Sequence, residues 1–112
     1  MKPKSLKILG IKYTLEYCGS PSDVDIFKRE SLWGQIDYWT RTIRVYDNGI
    51  IPIEEIWDTI IHEALHGIIN ALRLKGKIED HKESEEIVSL LALGLREFLF
   101  ENNLLKFEKE KT

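Results

Sequence analysis

DTIIHEALHGIIN, residues 58–70, places two histidines and a glutamate inside a run that is otherwise nearly all apolar. Apolar residues recur there every three or four positions, which predicts a helix over about 52–74. A buried helix rarely carries polar side chains unless they have partners. The partners of His62, Glu63 and His66 are therefore the first question that this sequence raises.

His62 and His66 are four residues apart, so a helix puts them on one face with their Cβ atoms roughly 5–6 Å apart. Two imidazole nitrogens at that spacing can bind one tetrahedral Zn²⁺. Glu63 lies about 100° round the helix and can instead accept a proton from a zinc-bound water. This HExxH pattern predicts a zinc site with Glu63 as the general base. The alternative is a pair of hydrogen-bonded core histidines beside a surface glutamate.

A catalytic zinc site usually has three protein ligands, so one more must come from elsewhere in the chain. Four candidates cluster near the start of a second predicted helix: His81, Glu83, Glu85 and Glu86. The apolar face of that helix is centred near Leu91. Glu83 lies closest to this face, Glu86 at its edge, and Glu85 points away from it. Helix phase alone leaves the third ligand open.

The rest of the chain predicts strands before the helices. Residues 5–17 alternate with period two in their second half and are interpreted as one half-buried strand, and 19–25 as a loop. Residues 33–47 predict two short strands with a tight connection near 38–41, a hairpin. The second helix is expected over about 83–101. We therefore expect an α+β fold in which a small antiparallel sheet of about three strands packs on two main helices.

Size and charge limit the classes of partner. The 112 residues predict one domain, 1–112, with a frayed tail over about 104–112. The net charge of -3 and an acidic pI argue against a nucleic-acid partner, and no segment predicts a signal peptide or membrane span. We expect a cytoplasmic protein. Its single cysteine, Cys18, cannot form an internal disulfide; it is interpreted as a small buried hydrophobe, and as a zinc ligand it is distant in sequence.

Several segments together resemble a known family. They are HEALH at 62–66, LGIKY at 9–13, GQID at 34–37, IRV at 43–45, EEIV at 85–88 and LALGL at 91–95. With these the chain resembles the minimal zincin-type metallopeptidases, gluzincin-like proteins often carried by bacteriophages and related to the ImmA/IrrE family.

The resemblance implies a single zincin-like domain with Zn²⁺ as cofactor and a glutamate ligand from the helix after HExxH. The most similar spacing falls on Glu86, twenty residues after His66, ahead of Glu83 and then Glu85. A histidine third ligand, as in SprT-like proteins, would point to His81.

The implied activity is zinc-dependent hydrolysis of a peptide bond in a protein or peptide substrate. Glu63 takes the proton of the zinc-bound water and passes it to the leaving amine. The substrate is expected as an extended strand along a sheet edge, at 42–46. Tyr38, Tyr46 and His81 are candidates to stabilise the oxyanion.

Two alternatives stay open at this stage. One is a non-catalytic zinc-binding module that uses the same residues for stability or for binding a partner, and the other is a metal-free interaction domain. The aromatic residues Trp33, Tyr38 and Trp39 can wall a substrate cleft, although such residues more often pack a core or cover a small sheet.

Overall fold

The computed structural model describes residues 2–74 and 85–102, which form an α+β fold. A four-stranded mixed sheet packs against one long helix, with shorter helices beside them. In chain order the elements are β1 (Ser5–Ile8), β2 (Ile11–Cys18), α1 (Pro21–Val24), β3 (Gly34–Asp37), β4 (Thr42–Tyr46), α2 (Ile53–Leu74) and α3 (Glu85–Glu101).

The sheet differs from the expected antiparallel sheet of about three strands. Its strand order is β1-β2-β4-β3, and β2 pairs with β4 in parallel while the outer pairs are antiparallel. The fourth strand arises because Leu9 and Gly10 both adopt positive φ, at 48° and 86°. This turn splits 5–17 into the hairpin of β1 and β2. The parallel pairing arises because β4 returns between β2 and β3.

The predicted second hairpin is confirmed. Its strands are β3 and β4, and the connection covers residues 38–41. Asp37 stabilises the turn, because its carboxylate accepts hydrogen bonds from the Trp39 backbone N–H and the Thr40 hydroxyl, each at 3.0 Å. Arg41 completes the turn with a φ of 52°.

Helix α2 confirms the helix predicted over about 52–74, and α3 lies within the one predicted over about 83–101. The core lies between α2 and the inner face of the sheet, with Ile60 of the helix packed in one cluster with Ile43 and Val45 of β4. A Cβ atom on Gly67 would lie 2.8 Å from Cδ1 of Ile8. An alanine there would force the ends of the Ile8 and Ile36 side chains to move, so glycine suits this close approach of the helix to the sheet.

The outer face of the sheet carries α1, within a segment that was predicted to be a loop. Arg44 of β4 attaches it there, since its guanidinium donates to the carbonyl oxygens of Val24 at 2.9 Å and Asp23 at 2.8 Å. The same side chain forms an ion pair with Glu16 at 2.6 Å.

The expected frayed tail, 104–112, lies outside the described residues. Within the described ranges, no helix is long and apolar enough to cross a membrane.

Candidate metal centre

His62 and His66 lie on one face of α2 and bring their Nε2 atoms to 3.2 Å from each other. The i and i+4 spacing accounts for this approach. The hydroxyl of Ser89 on α3 lies 3.3 Å from Nδ1 of His62, the ring nitrogen on the other side. A hydrogen-bond partner at Nδ1 orients the imidazole ring so that its Nε2 can bind a metal.

Glu85, at the start of α3, brings a carboxylate to both rings. Its Oε2 lies 3.0 Å from Nε2 of His62, and its Oε1 lies 2.8 Å from Nε2 of His66. One ligand atom from each of the three residues fits within 4.8 Å of the others, as required to hold one ion. The side chain of Glu85 is 72% exposed, so this group opens toward solvent on that side.

Of the four sequence candidates for a third ligand, Glu85 is the one whose side chain the structure describes, and it lies beside the histidines although the phase argument had directed it away. The packed face of α3 explains the difference. Among the described side chains of α3, Val88 and Ala92 are buried while Leu91 is exposed, and Glu85 precedes Val88 by one helical turn. Because α3 has apolar residues nearly all round, the sequence did not show which face would be buried.

The other three candidates are not tested. Glu86 belongs to α3, but its side chain lies outside the described part of the structure. His81 and Glu83 fall in 75–84, which also lies outside the described residues. The prediction that Glu86 is a zinc ligand therefore stays a prediction. Cys18, at the end of β2, is partly exposed and is not a member of the group.

Glu63 is buried beside the group, with 8% exposure, and its Oε2 lies 3.9 Å from Nε2 of His62. Burial raises the pKa of this carboxyl from its ordinary value of 4.5 to about 7. The charge of His66 and a backbone hydrogen bond from Ile36 oppose that rise, whereas the charge of Glu85 adds to it. A carboxylate with a pKa near neutral is well matched to general-base chemistry.

The position of Glu63 depends on a close approach between β3 and α2. A Cβ atom on Gly34 would lie 2.5 Å from Cγ2 of Thr59 and 3.1 Å from Oε2 of Glu63. Only glycine at this position lets the strand lie against the carboxylate. Glu63 is thereby held between the histidine pair and the backbone of β3.

A cavity of about 840 Å³ lies between β3, α2 and α3. Its wall includes the three residues of the metal-binding group and Glu63, and also Trp33 and Tyr38. These two aromatic residues therefore line a cavity, and its use as a substrate cleft stays a prediction. Trp39 is 96% exposed at the hairpin tip and does not line the cavity.

The prediction that residues 42–46 form a free sheet edge for the substrate was wrong. Strand β4, residues 42–46, pairs on both sides, with β2 and with β3. In the described sheet the edge beside the cavity is β3, whose residues Gly34, Gln35 and Ile36 line it. The insertion of β4 into the sheet is the physical reason for the difference.

Of the three oxyanion candidates, Tyr38 is the one that lines the cavity. Its hydroxyl donates a hydrogen bond to the backbone oxygen of His66 at 3.2 Å. Tyr46 packs edge-on against Trp33 and is not among the lining residues. His81 lies outside the described residues.

A second buried acid, Asp25, was missed by the sequence analysis. It is 1% exposed and accepts hydrogen bonds from the backbone N–H groups of Phe27, Arg29 and Glu30, at 3.0 to 3.3 Å. The side-chain amide of Gln35 on β3 donates a fourth at 3.0 Å. The bond to the second residue after an aspartate is an Asx turn, a local signal that the composition of 19–25 already contained.

Comparisons with protein-family models, with curated proteins and with solved structures find no match for this chain. Function is therefore argued from the chemistry of the residues at the site.

Proposed function

We propose that the protein is a zinc-dependent metallopeptidase in which His62, His66 and Glu85 bind the ion and Glu63 is the general base. One observation carries the proposal. Three donor atoms lie within 4.8 Å of one another, and a separate buried carboxylate lies 3.9 Å from the nearest of the histidine nitrogens. A core histidine pair would need no second acidic group at this distance.

The donor set fits zinc. Two imidazole nitrogens and one carboxylate oxygen are a common ligand set of catalytic zinc, which keeps a fourth position open for water or substrate. Iron(II) and manganese accept similar ligands, but two histidines at this helical spacing favour zinc. When bound, zinc supplies Lewis acidity, which polarises the scissile carbonyl and lowers the pKa of water.

Glu63 performs the proton transfers in this proposal. Its carboxylate accepts a proton from the attacking water and later delivers that proton to the nitrogen of the leaving amine. Burial keeps its pKa near the working pH, so the group can both accept and release a proton. The hydrogen bond from Ile36 keeps the carboxylate directed to the edge of β3.

The proposed substrate is an extended peptide segment that lies along β3. Backbone groups alternate in direction along a strand, and those of Gln35 and Asp37 face β4. Those of Gly34 and Ile36 face the cavity edge. The Ile36 N–H is already bonded to Glu63, so the groups left to pair with a peptide are those of Gly34 and the carbonyl oxygen of Ile36. Tyr38 is our candidate donor to the developing oxyanion, and to act as one its hydroxyl must turn away from the backbone oxygen of His66, to which it donates here.

The arrangement of HExxH helix, edge strand and a glutamate from the following helix is what a minimal gluzincin-like domain requires. The sequence resemblance to the phage-carried zincins and the ImmA/IrrE family supports the same assignment. We therefore place the protein in this class as part of the proposal.

The test uses Glu63→Gln in the full chain. Elemental analysis is expected to find about one zinc per chain in wild type and variant, since Glu63 is not a ligand here. Hydrolysis of a degenerate peptide mixture, followed by mass spectrometry, is expected to fall by about 10²- to 10⁴-fold.

Glu54→Gln, on the exposed side of the same helix, is the matched control and should cleave as wild type does. A Glu63→Gln protein that cleaves at the wild-type rate would contradict the general-base role. Zinc in both proteins with no cleavage by either would favour the non-catalytic zinc-binding module instead.

A further inference from the structure

The cavity that contains the metal-binding group is also lined by Glu30, Leu32 and Trp33, which form part of its wall. These residues belong to the loop that leads from α1 into the edge strand β3. The proposed chemistry uses none of them. Because they lie at the same cavity as the edge strand, a side chain of a peptide bound there would meet them.

The charge of the described cavity wall is negative. Its described lining residues include four carboxylates, those of Glu30, Asp58, Glu63 and Glu85, and no lysine or arginine. Glu63 and Glu85 belong to the metal centre, and Asp58 forms an ion pair with Arg96 of α3. Glu30 is the carboxylate left for a substrate to meet, and a negative wall favours a cationic group.

Trp33, three residues further along the same loop, offers an aromatic surface at the same cavity. Its ring packs edge-on against Tyr46, with ring centroids 5.2 Å apart and planes at 80°. Its backbone oxygen also accepts a hydrogen bond from the Tyr46 N–H at 2.8 Å. The residue is held firmly by these contacts yet remains 51% exposed. A fixed and half-exposed indole ring is a favourable surface for a cation.

The loop is held in place from beneath by Asp25. This buried carboxylate accepts the backbone N–H of Glu30 itself, and that of Phe27 at the opposite end of the turn. Through Gln35 it is also joined to β3. A buried acid that fixes the backbone of Glu30 to the edge strand orders the wall before any substrate arrives, which reduces the entropy cost of binding.

We propose that Glu30, Leu32 and Trp33 form a side-chain subsite for an arginine of the peptide substrate, with Asp25 as its positioning residue. The aliphatic part of the arginine packs on Leu32 and Trp33, and the guanidinium lies over the indole and pairs with Glu30. Arginine is preferred over lysine because its planar group can stack and can bind a carboxylate through two donors. The inference rests on the proposed peptidase function for its substrate.

The experiment uses the full zinc-loaded chain and a degenerate peptide library in which one position is fixed as arginine, citrulline, lysine or leucine. Cleavage by wild type is mapped by mass spectrometry. Retention of uncleaved peptides by the zinc-loaded Glu63→Gln protein is measured separately by equilibrium dialysis. Citrulline keeps the shape of arginine without its charge, so it isolates the contribution of the ion pair.

We expect arginine to be enriched at one fixed distance from the cleaved bond. Glu30→Gln should lower that enrichment about three- to tenfold and leave the leucine library unchanged. Glu54→Gln, an exposed acid outside the cavity wall, should keep the full preference. Asp25→Asn should weaken the arginine preference but should not reverse it.

The outcomes separate the two proposals. Cleavage without arginine enrichment, or enrichment that survives Glu30→Gln, would overturn the subsite and leave the peptidase standing. Absence of cleavage, with arginine peptides still retained through Glu30, would overturn the peptidase and support the subsite as a binding site. Absence of both cleavage and retention would overturn the two together.

Discussion

Glu63 and Asp25 are both buried carboxylates, one beside the histidine pair and the other beneath the loop before β3, and their pKa values shift in opposite directions. Burial raises the pKa of Glu63 to about 7, and one backbone hydrogen bond, from Ile36, opposes that rise. Asp25 accepts backbone N–H groups, that of Phe27 foremost, and the Gln35 amide. These bonds hold its pKa below the ordinary value in spite of burial.

The difference shows how similar burial can serve two purposes. Three backbone N–H groups and one amide compensate the charge of Asp25, so its carboxylate stays ionised and fixes a loop. The charge of Glu63 is less well compensated, so its proton is exchangeable near neutral pH. A well-compensated carboxylate such as Asp25 is suited to holding a loop in place. A poorly compensated one such as Glu63 is suited to reacting.

The largest expected effect is on zinc affinity. It tests whether a metal binds next to Glu63. Glu85→Gln should weaken zinc binding by more than about 100-fold, beyond the loss typical of an outer-shell partner. Glu86→Gln is the matched variant one residue along the same helix. Competition with a zinc-binding dye measures both affinities. Loss of zinc in the Glu86 variant with full affinity in the Glu85 variant would mean that Glu86, and not Glu85, is the third ligand.

The next effect is on the stability of the metal-free protein. The pKa of Glu63 is higher in the folded state than its ordinary 4.5, so the folded protein binds more protons between about pH 4.5 and 7. Its free energy of unfolding should therefore fall as the pH rises through that range. Glu63→Gln removes this loss and should stabilise the metal-free chain by on the order of 2–3 kcal/mol above pH 7.

Urea unfolding with a chelator present, at about pH 5 and about pH 8, measures this difference. Glu54→Gln is the control for removing a charge from α2. A Glu63→Gln protein no more stable than wild type at the higher pH would mean that the carboxylate is better compensated than its surroundings indicate.

A smaller effect tests the close packing that holds Glu63. Gly34→Ala places a Cβ atom 2.5 Å from Thr59, so β3 must move away from α2. We expect a loss of about 1–3 kcal/mol in the free energy of unfolding, together with weaker peptide hydrolysis. Gly19→Ala, where an added Cβ meets nothing within 4 Å, is the control. Equal stability of the two variants would show that the strand can shift at little cost.

The smallest expected effect is that of Asp25→Asn. The pKa of Asp25 is lower in the folded state than its ordinary 3.8, so its contribution to stability is present above that pH. The contribution is lost as the pH falls through the folded pKa, the opposite direction from Glu63. Asparagine should lower the melting temperature at about pH 6, and the difference should be smaller at about pH 2. A constant difference between these pH values would contradict the comparison.

The parts of the fold that depend on the spacing of residues close together in sequence were predictable. The HExxH spacing and the recurrence of apolar residues sufficed for α2 and for its histidine pair. The hairpin of β3 and β4 followed from alternation in 33–47. In each case residues within a few positions of one another fix the outcome, because helix and strand periodicity is local.

The mixed sheet, the substrate edge and the packed face of α3 were not predictable in this way. Residues 5–17 were interpreted as one strand, because whether the chain turns back at Leu9 and Gly10 depends on pairing between the two halves. Glu85 was ranked after Glu86 and Glu83, because the apolar pattern of α3 did not show that the face with Val88 and Ala92 is buried. Asp25 gave an Asx signal, yet its four donors come from residues up to ten positions away.

The sequence by itself determined that two histidines and a glutamate share one helix, which is enough to predict a metal and a general base. The tertiary structure decided that the Glu85 carboxylate approaches the histidines, and it also decided which strand forms the edge beside Glu63 and which loop helps to line the cavity. The physical reason is that helical periodicity fixes positions within an element. The relative placement of elements comes from the summed energy of many weak packing contacts between residues distant in sequence. No single stretch of sequence contains all of these residues.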